Sequence, residues 1–374
     1  MVATRGLAGQ NGWRPDWSGD VARTRWEYGS QYHWMRISPD GVRGKVPWRS
    51  ENLLFGCGRD ALRALVHHLQ PHRLWFPSYV CQELVAPFID SGVELRRYPD
   101  SPLAASLNLE RIGLQPGDSV VVLNYFGLRS RDCLIPTAVP EVTLIEDHTH
   151  DPCSTWAQQS RADYCFASLR KSIPIPDGAV LWSPRSRELP RISPARSGRA
   201  KSVQQRLSGM LMKSLYLEGH DISKPLFREL MDSGERDAAT GSVAKVSPLS
   251  ETVIDVFPFE TWRSARRDNF ERLAAGLGVA RPFEVLNPAE RSAAPFAVAC
   301  VFPNADSCAA AEKQMIARDV YPSRLWPLED PVVAGVPEEH ICLSRRMLTL
   351  PTDGRYTQGD INRVLDVFAE IGLV

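Results

Sequence analysis

From residue 53 onward, short apolar runs alternate with stretches in which apolar residues recur at helical spacing. Runs at 74–76, 94–98, 119–125, 142–146, 162–168 and 178–182 read as strands. Between the first of them, "RDALRALVHHL" puts Ala61, Leu62, Leu65, Val66 and Leu69 on one helical stripe. Strands alternating with helices predict an α/β fold with a mostly parallel central sheet and helices on both faces. Residues 1–50, rich in Trp, Gly and Arg with weak periodicity, read as an extended arm packed on the body.

The rhythm breaks over 184–245. "SPRSRELPRISPARSGRAKS" reads as loop, 202–217 as a helix and "DSGERDAATGS" as a polar connector. A smaller α/β unit follows, with a helix near 258–276, the strand "FAVACVFP", a helix near 305–318 and the strand "MLTLP". In the last helix Ile361, Val364, Leu365, Phe368 and Ile371 share a face, and Thr357 with Asp360 reads as a capping box with Asp in place of Glu. The expected division is an arm (1–50), a large domain (51–245, with 184–245 divergent) and a small carboxyl-terminal domain (246–374).

Composition narrows the function classes. The 374 residues carry 44 acids and 44 bases, so nothing suggests a nucleic-acid surface. Only 7 of those bases are Lys, which gives each lysine more weight. No run approaches the roughly 18 apolar residues of a membrane span. No signal peptide is evident, and the 8 cysteines form no C-x-x-C pair. Those features predict reduced thiols, a cytoplasmic protein and no cysteine-built zinc site.

In open parallel sheets ligands bind beyond the carboxyl ends of the strands. Five post-strand segments therefore matter: "FGCGRD", "FPSYVC", "LNYFG", "EDHTHD" and "SLRKSIPIPDGA". "GCGRDA" predicts an anion cradle of backbone N–H groups at a helix start, or simply a tight turn. Lys171 falls between two strands, where an amine is costly to bury unless paired or used covalently. Burial there would lower its pKa, which suits Schiff-base chemistry, although a lysine snorkelling from the sheet edge fits too. In "IEDHTHD", Asp147, His148, His150 and Asp151 are all possible metal ligands, but no further ligand is evident nearby. Asp147, at a strand end, could instead keep a pyridinium nitrogen protonated, as pyridoxal 5'-phosphate (PLP) requires.

With those segments in place, residues 50–374 resemble the DegT/StrS group of fold-type I PLP enzymes, best known as nucleotide-sugar aminotransferases. "GCGRDALRAL" is similar to the group's phosphate turn, "FPSYVCQELVAPFIDSGVELRRYPD" to its Pro-Ser-Tyr segment and "VVVLNYFG" to its His-Leu-Tyr-Gly strand end. "IEDHTH" resembles Glu-Asp-Ala-Ala-Gln/His, "CFASLRKSIPIPDGA" the Phe-Ser-x-x-x-x-Lys segment, and the tail "LSRRMLTLPTDGRYTQGDINRVLDVF" the last strand and helix. The resemblance implies that Lys171 forms the Schiff base and moves protons, that Asp147 pairs with the pyridine nitrogen, and that His150 lies near the ring. It implies that Gly58, Arg59 and Asp60 offer N–H groups to the phosphate, and that Ser168 lies in the cofactor-binding segment. It further implies a homodimer with active sites at the interface. The sequence departs from the group at several points. Cys81 stands where the group has an aromatic residue over the ring, so either Tyr79 stacks from a shifted position or a smaller group covers it. Arg59 and Arg170 replace hydroxyl residues beside the phosphate, where guanidinium–phosphate pairing is chemically sensible. The Gly-Tyr-Asn-Tyr-Arg segment is missing.

The expectation is a PLP-dependent aminotransferase that moves an amino group from an amino acid to a keto sugar or another small carbonyl metabolite. Such acceptors occur in secondary metabolism and polysaccharide biosynthesis. Alternatives are a PLP enzyme of elimination, decarboxylation or carbon–carbon bond formation, and a non-catalytic PLP-binding protein. A nicotinamide oxidoreductase resting on "GCGRDA" requires an acid about 20 residues on, at the next strand's end. The only candidate there is Glu83, inside a helical stretch.

Overall fold

The computed structural model describes residues 24–35, 46–48, 51–191, 199–278 and 282–373. Most of the arm and part of the 184–201 loop therefore lie outside the described residues. The arm contributes β1 (Tyr28–Gly29). There follow β2 (Asn52–Phe55), α1 (Gly58–Leu69), β3 (Arg73–Pro77), the short α2 (Gln82–Val85), β4 (Glu94–Tyr98) and β5 (Leu107–Asn108). Next come β6 (Ser119–Leu123), β7 (Leu134–Ile135), β8 (Thr143–Asp147), α3 (Thr155–Gln158), β9 (Tyr164–Ala167) and β10 (Ala179–Trp182). A helical pair, α4 (Ala200–Leu217) and α5 (Lys224–Thr240), leads to α6 (Pro248–Val256) and α7 (Phe259–Gly276). The remainder comprises β11 (Glu284–Val285), β12 (Ala297–Val301), α8 (Ala305–Ile316), β13 (Val320–Tyr321), α9 (Glu338–Arg345), β14 (Met347–Pro351) and α10 (Gln358–Glu370).

Seven strands form the main sheet in the order β2-β10-β9-β8-β6-β3-β4. The five from β9 to β4 are parallel, and β10 runs antiparallel to both β9 and β2. Every residue of β6, β9 and β10 is buried, which explains why those strands read as unbroken apolar runs. A short loop joins β9 to β10, so the chain turns back instead of crossing over. The loop, the end of β2 and the ends of β6 and β8 thus share one edge of the sheet.

The smaller unit is an antiparallel sheet, β11-β12-β14, with α10 packed on α7. One apolar core runs through both units, from Phe76 and Phe166 to Val298, Leu350 and Phe368. The predicted capping box of the last helix is formed: Thr357 Oγ1 accepts the Asp360 N–H at 3.2 Å, and Asp360 accepts the Thr357 N–H at 2.8 Å.

The segment "DSGERDAATGS" corrects the reading as a connector, since most of it lies in α5. Two glycines explain why. A Cβ on Gly209 would come within 2.6 Å of Met231 Cγ, and one on Gly234 within 2.5 Å of Arg206 Cγ. Without those atoms α4 and α5 approach closely, and Ser202 Oγ donates to the Gly234 carbonyl at 2.6 Å. β1 pairs in parallel with β13, and the arm also reaches α4: the Trp34 N–H donates to the Met210 carbonyl at 3.0 Å.

Candidate active site

A cleft opens at the shared sheet edge. Gly58, Arg59, Cys81, Asp147, His150, Ser168, Arg170 and Lys171 all line it. Eight of the ten residues singled out from the sequence are therefore brought together; Asp60 and Tyr79 are not.

Lys171 follows β9 on the return loop, where its N–H donates to the Ser168 carbonyl at 3.1 Å. It is half-buried, which corrects the expectation of an amine enclosed between strands: the loop lifts it to the mouth of the cleft. Two side chains of α7 hold that loop from behind. Trp262 Nε1 and Arg266 Nη2 both donate to the Ser172 carbonyl, at 2.9 and 3.1 Å. Arg266 Nη1 donates to the His150 carbonyl at 3.1 Å, so one buried guanidinium ties the Lys171 loop to the His150 loop.

Asp147 ends β8 and accepts the Thr149 N–H through Oδ1 at 2.8 Å. Burial pushes its carboxyl pKa up, while Thr149 and the nearby Lys171 charge work in the opposite direction. His148 and His150 separate onto different sides of the backbone. His148 Nε2 pairs with Glu146 at 2.9 Å in a buried group with Trp156, Ser160 and Cys165, away from the cleft. His150 faces the cleft, stacked on Trp326 at 5.7 Å between ring centres and on Phe126 at 5.5 Å. Its Nδ1 accepts the Phe126 N–H at 2.9 Å. Burial and the charges of Lys171 and Arg266 lower its pKa to about 3, so the ring is neutral. Asp151 leaves this group altogether and pairs with Arg263 at 3.1 Å.

Two expectations are corrected. The Asp60 N–H donates to the Cys57 carbonyl at 3.1 Å, and the buried Asp60 carboxylate holds Arg199 at 2.5 Å, so Asp60 anchors the 199–244 segment and not a phosphate. Tyr79 is wholly buried, and its hydroxyl donates to the Leu325 carbonyl at 2.8 Å, so it covers nothing in the cleft. Arg59 and Arg170 line the cleft, as expected, and are paired there. Arg59 donates to Glu83 at 2.9 Å and to Glu235 at 3.1 Å, and Arg170 donates to Glu235 at 2.7 Å.

Sequence reading missed Trp326, which reaches the cleft from the smaller unit without any local signal. It also missed Asn124, although "LNYFG" is one of the post-strand segments. Asn124 lines the cleft; its Oδ1 accepts the Arg129 N–H at 3.2 Å, while its Nδ2 is buried with no partner. A buried orphan amide is costly unless a ligand completes it.

These features fit PLP. The Gly58 and Arg59 N–H groups open α1 with no acceptor among the described residues, as an anion at a helix start requires. A Cβ on Gly58 would sit 3.2 Å from Ser168 Cβ and narrow this cradle. Asp147 supplies a carboxylate, Asn124 a free donor and Lys171 an amine.

No protein-family model matches the sequence, and no curated protein matches it. Solved structures do share its fold. Spr1654 from Streptococcus pneumoniae in its PLP-form is 10% identical with a TM-score of 0.57, covering 86% of this chain and 86% of that one. DesI, solved in the presence of its TDP-sugar product, is 16% identical with a TM-score of 0.56 over 85% of this chain and 79% of its own. The sugar aminotransferase CalS13 from Micromonospora echinospora is 11% identical with a TM-score of 0.54 over 85% and 87%. The chain has the fold-type I architecture of PLP-dependent transferases.

Proposed function

We propose that the protein is a PLP-dependent aminotransferase that moves an amino group from an amino acid to a keto sugar or another small carbonyl compound. The observation that carries this reading is the placement of Lys171 and the Asp147 carboxylate in one cleft with the open N-terminus of α1. Bound PLP supplies an electron sink for negative charge at the carbon beside the amine. The residues of the chain do the rest. Gly58 and Arg59 hold the phosphate through their N–H groups. Asp147 keeps the ring nitrogen protonated. Asn124 Nδ2 and the His150 ring orient the cofactor, and Trp326 walls the cleft. Lys171 is the residue whose amine would hold the cofactor's carbonyl carbon, and the same amine would move a proton at the substrate carbon. Neighbours of the same fold, CalS13 and DesI with its TDP-sugar, support a sugar acceptor.

The same reading places two copies of the chain together. Leu211 and Leu215 on α4 and Leu226 on α5 are 40–50% exposed and would be covered by a second copy. Light scattering of the purified protein tests this, a monomer at micromolar concentration contradicting it. We also place the protein in the cytoplasm. No described helix is long and apolar enough to cross a membrane, and the eight cysteines form no disulfide.

The functional test is an absorption spectrum with PLP before and after L-glutamate. The expected result is a visible band that bleaches with the amino donor and is missing in Lys171→Ala. A wild-type protein that forms no band overturns the proposal.

A further inference from the structure

Beside the cofactor cleft lies an outer, more open chamber, and the two share Glu83, Arg170 and Lys171. Three arginines meet one carboxylate in its wall. Glu235 Oε1 accepts from Arg59 Nη2 at 3.1 Å and from Arg170 Nη2 at 2.7 Å, and Oε2 accepts from Arg206 Nη1 at 2.8 Å. Among the described residues, the only other carboxylate paired with these arginines is Glu83, on Arg59, and Glu83 is 65% exposed.

The arginines divide between the spaces. Arg59 lines the cofactor cleft and Arg170 lines both, whereas Arg206 and Glu235 line the outer chamber alone. Arg206 is set in place, because its Nε donates to the Pro176 carbonyl at 2.6 Å. Glu235 is brought here by the close α4–α5 contact at Gly234, the residue before it. Its side chain is 27% exposed and ends a flexible stem, so it can swing out at modest cost.

A planar carboxylate gripped at both oxygens by separate guanidiniums marks a site shaped for carboxylates. We infer that Arg206 and Arg170 form a substrate carboxylate site that Glu235 occupies in the free chain, and that an incoming carboxylate displaces Glu235 from it. The exchange replaces one carboxylate with another on the same donors, so the arginines are never left unpaired. A neutral compound leaves Glu235 where it is. The chamber thus selects substrates that carry a carboxylate besides the amine or carbonyl that reacts. Assigning the chamber to substrate rests on the aminotransferase reading.

The test is a calorimetric titration of the PLP-loaded protein with glutarate, a dicarboxylate with neither amine nor carbonyl. Saturable binding is expected, about tenfold tighter in Glu235→Gln and about tenfold weaker in Arg206→Gln, with Arg206→Lys in between. Glu229→Gln, on the exposed side of α5, removes the same charge away from the chamber and should match the wild type. Affinity in Glu235→Gln no higher than in wild type overturns the inference, and so does an equal gain in Glu229→Gln. Circular dichroism melts establish that each variant is folded; if Arg206→Gln is not, Glu235→Gln against Glu229→Gln decides. Failure of the two readings is distinguishable. A missing visible band with PLP sinks the cofactor reading, while the glutarate titration of the same chain still decides whether the arginines form a carboxylate site.

Discussion

His150 Nδ1 accepts the backbone N–H of Phe126 at 2.9 Å, which fixes the neutral ring with its proton on Nε2. The stacked Phe126 and Trp326 rings exclude the water that an imidazolium would need.

This histidine should make the fold acid-sensitive. Its folded pKa of about 3 lies below the ordinary value of 6.5, so the unfolded chain binds more protons between those values. The stability it contributes is complete above pH 6.5 and declines as pH falls toward 3. Between pH 8 and pH 5 the loss should be about 2 kcal/mol. Urea melts at both pH values measure it, and His150→Gln should remove that part of the pH dependence. An unchanged difference in the variant would assign the acid sensitivity elsewhere.

Asn124 should belong to the cofactor site. Its Nδ2 is buried in the cleft wall without a partner, while Oδ1 is already used to hold the Arg129 N–H. Asn124→Ala should weaken PLP binding about tenfold, the scale of one well-made hydrogen bond in a buried site. Titration of the unloaded protein, followed by the visible band, gives the affinity. Equal affinity would mean that the amide points past the ligand.

How much of this was legible depended on where each signal came from. Asp147, Gly58 and Lys171 could be singled out because each stands at the end of an apolar strand or in the short segment after it, and local sequence sets strand ends. Trp326 could not, since tertiary packing alone brings it beside His150, 176 positions earlier in the chain. The α5 helix was missed for a different reason. Its buried stripe, Phe227, Met231, Gly234 and Ala238, has helical spacing, but two of its four members are too small to count as apolar signal. Those small residues are what bring Glu235 to Arg206. Asp60 misled because its place at a helix start beside a glycine turn suggested a free N–H; that N–H is spent on the Cys57 carbonyl, and the carboxylate is engaged elsewhere. Its partner, Arg199, stands 139 residues away.

The α4–α5 contact gives a stability prediction with its own control. Gly234→Ala puts a methyl 2.5 Å from Arg206 Cγ and 2.9 Å from the Ser202 carbonyl oxygen, and the backbone contact cannot rotate away. The expected cost is about 1–3 kcal/mol. In Gly359→Ala, at the start of α10, the new methyl meets only Thr357 Oγ1 at 3.6 Å. There the gain in helix propensity should stabilise by about 0.5–1 kcal/mol. Denaturant melts of the two variants should shift in opposite directions.

Asp147 allows charge to be separated from shape. Asn at this position keeps the size of the side chain and an oxygen for the Thr149 N–H, which now donates to Oδ1 at 2.8 Å. It removes only the negative charge that would keep the cofactor's ring nitrogen protonated. Asp147→Asn should therefore still bind PLP and show the visible band, because Lys171 and the α1 cradle are untouched. Its reaction with L-glutamate should slow by roughly 100-fold, the scale of losing one preorganised charge in a closed site. Stopped-flow bleaching of the band measures that rate without any need to know the carbonyl acceptor. A variant that bleaches at the wild-type rate would show that the carboxylate does not serve the ring nitrogen. A variant with no band at all would instead assign Asp147 to cofactor retention.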